Sequence, residues 1–139
     1  MRRSRLRVVL LAASVCAMAL FTSAGSAAAS AGPRCTLGSS AGNTKTCFSI
    51  NGPGLFVQEM HASAEILMSG RTLQECIHGP DSALPRCTSF RAIPPGGVQP
   101  ITWSPNRTVP AGDYCARTWR LNSGGSHTLI GEACLNVHA

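Results

Sequence analysis

A small, mostly β domain held together by disulfides is the fold class this sequence predicts, and three observations predict it. Six cysteines, Cys35, Cys47, Cys76, Cys87, Cys115 and Cys134, follow an N-terminal segment laid out as an export signal, and an even count in a short exported chain argues for three disulfides. Turn signals recur at short intervals: Asn51-Gly52-Pro53-Gly54, Gly79-Pro80-Asp81, Pro94-Pro95-Gly96-Gly97 and Ser123-Gly124-Gly125. Such punctuation favours many short strands. The segments between the turns are rich in β-forming residues, so a β-sandwich or a meander of hairpins is expected, with an α+β fold carrying one helix near 55–69 as the alternative.

The first element in the chain is the export segment. Arg2, Arg3, Arg5 and Arg7 form a basic start, Val8 to Phe21 an apolar run, and a tract of small residues follows through Gly32. This is the signal-peptide layout. The run is shorter than the roughly 20 residues that a helix needs to cross a bilayer. Residues 1–31 are therefore expected to be cleaved, taking Cys16 with them and leaving 32–139 as a single disulfide-stabilised domain with no membrane contact. The expected location is extracellular or on the cell wall, and the expected state is a monomer.

Cleavage changes the charge argument. The whole chain of 139 residues carries a formal charge of +6, but four arginines leave with the signal, and the remaining eight basic and six acidic side chains give about +2. The mature basic residues are scattered, so a nucleic-acid partner is not expected. Arginine far outnumbers lysine, and alanine and glycine abound. In this, and in the stretch from Trp103 to Val137 with its Gly-x-Tyr-Cys strand and closing Cys hairpin, the chain resembles uncharacterised small secreted proteins of high-GC Gram-positive bacteria. The resemblance implies export and no particular function.

The expected strands are Lys45 to Ile50, Thr72 to Ile77, Cys87 to Ile93, Gln99 to Trp103, Tyr114 to Leu121 and Thr128 to Val137. Residues 55–69 fit two templates. Phe56, Val57, Met60, Ala64, Leu67 and Met68 would share a helical face, yet the tight turn before them and the β setting around them favour two strands. Six cysteines admit fifteen connectivities. The economical one is sequential: 35/47, 76/87 and 115/134, each bridge contributing about 3 kcal/mol. A two-residue turn at Gly124-Gly125 supports the last pair, because it sets Cys115 opposite Cys134, Arg117 opposite Glu132, Trp119 opposite Ile130 and Leu121 opposite Thr128.

From Val109 to Arg117 the sequence Val-Pro-Ala-Gly-Asp-Tyr-Cys-Ala-Arg resembles strand F of an immunoglobulin variable domain. The resemblance covers nine residues and departs where that family places its corner tyrosine, two before the cysteine, which is Asp113 here. It implies a strand, expected at a sheet edge, and no kinship.

Motifs that suggest chemistry are weak. Gly38-Ser39-Ser40-Ala41-Gly42 matches a nucleophile elbow, but that motif needs a large parallel sheet, and here it lies between two cysteines as a loop. His61 with Glu59 and Glu65, or His127 with a carboxylate, would be general acid-base candidates only if the fold joined them. Cys76, His78, Cys87 and His138 lack the paired thiol spacing of structural zinc. No catalytic residue, metal or cofactor is expected. Binding is the better expectation: Arg86 in the constrained stretch Ala83-Leu84-Pro85-Arg86 would suit a protease inhibitor, and Trp103 and Trp119, with Tyr114, would suit a sugar-stacking platform, although a core role for Trp119 is the plainer one. The expected function is a non-enzymatic interaction with an extracellular protein or cell-wall glycan. A small hydrolase, an inhibitor and a structural envelope component are the alternatives.

Overall fold

Alternation along each strand decides which side chains point inward, and it does so most clearly where the sequence left two templates. A computed structural model describes residues 31–38 and 43–139. Residues 1–30, where the export signal is expected, and positions 39–42 of the elbow-like loop, lie outside the described residues. Over residues 55–69 the strand template holds: β3 (Phe56–Val57) and β4 (Glu59–Ile66) form here. Met60, Ala62, Ala64 and Ile66 are buried while His61, Ser63 and Glu65 are half-buried. A helix would have put Leu67 and Met68 in the core, but both lie exposed just past β4.

Two antiparallel sheets face each other. The first has the order β1-β2-β4-β8, with β1 (Ala31–Leu37), β2 (Thr44–Asn51) and β8 (Val98–Trp103). The second has the order β11-β10-β5-β6, with β5 (Arg71–His78), β6 (Arg86–Cys87), β10 (Gly112–Leu121) and β11 (His127–Val137), and β7 (Arg91–Ile93) also pairs with β5. A short pair, β3 with β9 (Arg107–Thr108), lies apart. β4 lies beside β8 and β5 beside β10, although β5 follows β4 in the chain. The crossings β4 to β5 and β8 to β10 therefore interlock the two sheets.

β1 has no counterpart among the expected strands. Gly32 and Pro33 are poor strand formers, and the register with β2 is irregular between Ala31 and Arg34, which an edge position tolerates. Its side chains close the sandwich edge. Arg34 donates to the carbonyl of Cys134 (3.2 Å) and Thr36 to that of Glu132 (2.6 Å), so free acceptors on β11 are covered.

All three disulfides follow the sequential pairing, and each joins residues directly opposite in a ladder. The closing hairpin keeps the expected pairs Cys115–Cys134 and Arg117–Glu132, but nearer the turn the register differs by one residue. Trp119 faces Leu129 and Leu121 faces His127, with a bulge between Thr118 and Trp119. The cause is a three-residue loop: Gly125 takes a φ of 79° and donates to the carbonyl of Asn122 (3.0 Å), a conformation that glycine adopts without strain. Ile130 becomes the extra residue of the bulge and turns into the core.

The expected edge strand is a central one. β10 lies between β11 and β5, and at its start Tyr114 is fully buried, its hydroxyl donating to the carbonyl of Pro110 (2.9 Å). This is a tyrosine corner placed one residue nearer the cysteine than in immunoglobulins. Burial, with Asp81 adding to it, pushes the Tyr114 hydroxyl up to about 12. Gly79 makes room for the ring, since a Cβ there would lie 2.3 Å from Cδ1 of Tyr114.

The core has two apolar clusters, one around Phe48, Met60, Trp103 and Tyr114 and one around Ile66, Leu73, Ile93 and Ile130. Facing polar rungs separate them: Thr46, Ala64 and Gln99 across the first sheet, Gly131, Thr118 and Glu75 across the second. Thr46 and Thr118 share a hydrogen bond of 2.6 Å, and Thr118 donates to Oε2 of Glu75 at 2.5 Å. Gly131 is required by this contact, because a Cβ there would lie 2.1 Å from Oγ1 of Thr46. Glu75 is 0% exposed, and desolvation pushes its pKa to about 8 against the opposing Thr118 hydrogen bond, so it is mostly neutral at pH 7.

Candidate binding face

The outer face of the second sheet is built from every second residue of β5, β10 and β11. Register aligns Cys87, Cys76, Arg117 and Glu132 as one rung and His78, Cys115 and Cys134 as the next. Arg117 and Glu132 form an ion pair (Nε to Oε2, 2.5 Å) between the two disulfides. Gln74, Trp119 and Leu129 form the third rung. Beyond it, His127 stacks edge-on to Trp119 with centroids 5.3 Å apart and lies 6.1 Å from the Phe90 ring. Trp119 and Phe90 are half-buried, His127 is exposed and Leu129 is 40% exposed. An apolar, aromatic patch thus sits on a sheet locked by two cross-links.

A cleft of about 620 Å³ opens beside this patch, lined by Arg71, Thr72, Ile93, Arg120 and Leu121 among others. Leu121 connects the two features, since it also faces His127 across the hairpin. Arg120 donates from Nε to Oδ1 of Asn122 (3.2 Å). Among the described residues, the side chains of Arg71 and Arg91 have no hydrogen-bond or ion-pair partner. Arg91 stands across Leu73 from Arg120.

The residues expected at a site fare differently. Trp103 is a correction: it faces Met60 on the inner side of β8 and is 4% exposed, so it cannot stack on a ligand, and neither can buried Tyr114. Position parity decides this, and Trp119 takes the outer parity. Arg86 is exposed on edge strand β6 opposite Ile77. The loop before it folds back onto the domain: Asp81 is buried, accepts from the backbone of Ala83 (2.8 Å) and pairs with Arg107 (2.8 Å), and Leu84 packs on the larger cluster. The Ala83 N–H, ahead of the Arg107 contacts, holds the Asp81 carboxyl below its usual range.

Each histidine has a different surrounding. His61 lies between Ser49 and Thr102 on the flat outer face of the first sheet, with Nδ1 3.1 Å from Oγ1 of Thr102. Glu75 points inward from β5 while His78 points outward, so they do not meet. Desolvation and then the Arg117 charge lower the His78 pKa, despite Glu132. Cys76 and Cys87 lie close to His78, and Cys115 and Cys134 close to Glu132, but these sulfurs are bonded to each other and offer no thiolate. Gly38, the one described glycine of the elbow motif, packs against β11, where a Cβ would lie 2.1 Å from the carbonyl oxygen of Ile130.

No protein-family model, curated protein or solved structure matches this chain. Phe90, Leu129, Arg71 and Arg120 were missed by sequence reasoning, and His127 was weighed only for acid-base chemistry. A correct hairpin register would have set Leu129 beside Trp119, but nothing local joins Arg71 to Arg120, which meet only through the β5–β10 pairing.

Proposed function

We propose that this protein is an exported bacterial binding domain that holds a saccharide of the cell wall or its surroundings against the outer face of the second sheet. The carrying observation is the group of half-buried Trp119 and Phe90 with exposed His127, on a face that carries two disulfides. Aromatic faces pack on the C–H surfaces of pyranose rings, and a rigid sheet keeps the ordering cost of binding low. The basic, apolar and small-residue order of the first 31 residues and the three disulfides support an extracellular location. Retention on insoluble cell-wall polysaccharide tests the reading. The wild-type protein should be retained, and Trp119→Ala should lose about tenfold or more in affinity. Equal retention of both would refute a role for this face.

A further inference from the structure

We infer that the trough over His78, on the same sheet face as Trp119, is a second sugar subsite that binds the hydroxyl groups of an uncharged unit, so that the ligand is a neutral oligosaccharide long enough to reach both positions. The inference rests on the saccharide-binding reading above and adds to it a second contact point, the charge of the ligand and its minimum length.

Strand register places the trough. His78 stands opposite Cys115 on the outward parity of β5 and β10, and Pro85, just before β6, lines the side away from β10. Asp113 and Arg117 lie two residues to either side of Cys115 and form the ends. The volume is about 430 Å³, within the range of small-molecule sites. Cys115, Arg117 and Trp119 share one parity on β10, so the trough and the indole ring lie on one continuous face.

Its polar groups are only partly engaged. Nε2 of His78 is buried and has no hydrogen-bond partner among the described residues, a costly state unless a ligand supplies one. Asp113 accepts from Nδ2 of Asn136 at Oδ1 (2.8 Å), which leaves Oδ2 as an acceptor. Arg117 meets Glu132 through Nε, which leaves its terminal nitrogens as donors. Charge then decides the ligand class. Asp113 and Arg117 oppose each other along the trough and Glu132 already offsets Arg117, so neither an anion nor a cation meets a net opposite charge. The His78 ring is neutral at pH 7, because burial and then the Arg117 charge lower its pKa despite Glu132. A hydroxyl both donates and accepts, so the hydroxyls of one sugar can serve a carboxylate, an imidazole and a guanidinium together.

Length follows from the same register. Four residues along β10 separate Trp119 from Cys115, about 13 Å, which is longer than one pyranose ring. Two contacts on one rigid sheet raise affinity only for a ligand that engages both.

Calorimetry on the purified, disulfide-intact protein tests this with oligomers of glucose, mannose and N-acetylglucosamine of one to six units, and with oligogalacturonate and oligoglucosamine as charged counterparts. At least one neutral series should gain about tenfold or more in affinity as it lengthens past two units, and the imidazole nitrogen resonances of His78 should shift on binding its longer members. Asp113→Ala and His78→Ala should each lose about tenfold for the six-unit oligomer. His61→Ala, on the outer face of the first sheet, should match wild type. Wild-type affinity in both trough variants, with Trp119→Ala still weakening binding, would overturn the second subsite and leave the aromatic face standing. Affinity that does not rise with length would do the same. Tighter binding of a charged oligomer than of all three neutral series would overturn the ligand class. Retention on cell-wall polysaccharide by a protein that binds none of these oligomers would overturn the subsite, and absence of both would overturn the saccharide reading itself. Matching thermal unfolding of each variant and wild type excludes loss of fold, and if His78→Ala is destabilised, Asp113→Ala, whose side chain is exposed, decides the comparison.

Discussion

The outer faces of the two sheets are built on the same period-two rule and differ in their aromatic content. On the first sheet Lys45, Ser49, His61, Ser63, Glu65 and Thr102 make a surface without aromatic rings and with one disulfide, where exposed Leu37 and Val98 flank the Lys45–Glu65 rung. On the second, aromatic rings, an ion pair and two disulfides share the face, and a cleft with two arginines lies at its side. A face that only meets water needs no aromatic residues, and half-exposed Trp and Phe are retained where they have something to cover. Asymmetry extends inward, because the carboxylate buried between the two apolar clusters, Glu75, belongs to the second sheet.

The largest effect that would sharpen this contrast comes from Glu75. Its pKa is about 8 in the fold against an ordinary 4.5, so the folded state holds a proton that the unfolded chain releases. The contribution to stability is fully present below about pH 4.5 and is lost as pH rises through about 8. Urea unfolding between pH 5 and 9 should show stability falling by a few kcal/mol across this window. Glu75→Gln should flatten the slope, and a slope unchanged in that variant would place the responsible group elsewhere. Next in size are the cross-links. Opening Cys115–Cys134 by double serine substitution should cost about 3 kcal/mol and weaken saccharide binding. Opening Cys35–Cys47 should lower stability without changing affinity, and an equal loss of binding from both would erase the distinction between the faces.

Thr118→Val leaves Thr46 and Glu75 without their shared partner and should cost about 1–3 kcal/mol in denaturant unfolding. The smallest effect belongs to the surface ion pairs. Both partners of Arg117–Glu132 and of Lys45–Glu65 are more than a third exposed, so a double-mutant cycle on either should give less than about 1 kcal/mol. A larger coupling at Arg117–Glu132 alone would mean that its position between two disulfides stiffens it.

Much of the fold was legible because it is local. Turn residues marked the strand ends, and the cysteine pairs, each closing one short loop, followed the sequential order. Legibility stopped where one residue of register matters. Gly124-Gly125 suggested a two-residue turn, and the three-residue loop with its compensating bulge preserves the distant pairs Cys115–Cys134 and Arg117–Glu132 while exchanging the partners of Trp119 and Leu121. β1 was invisible because an edge strand paired on one side tolerates Gly32 and Pro33. The candidate site was partly legible: Trp119 was named, and Trp103 was named with it although it is core.

The sequence by itself determined that this is a disulfide-stabilised β domain and where most strands run, since these depend on spacing and turn chemistry within short stretches, and it offered the sequential cysteine pairing as the economical one of fifteen. Tertiary structure alone decided which tryptophan faces solvent, that Glu75 is buried beneath Thr118, and that Arg71 and Arg120 line one cleft. Those outcomes depend on how β5 pairs with β10 and on which side of each strand meets the other sheet, and no local pattern encodes a pairing between strands this far apart.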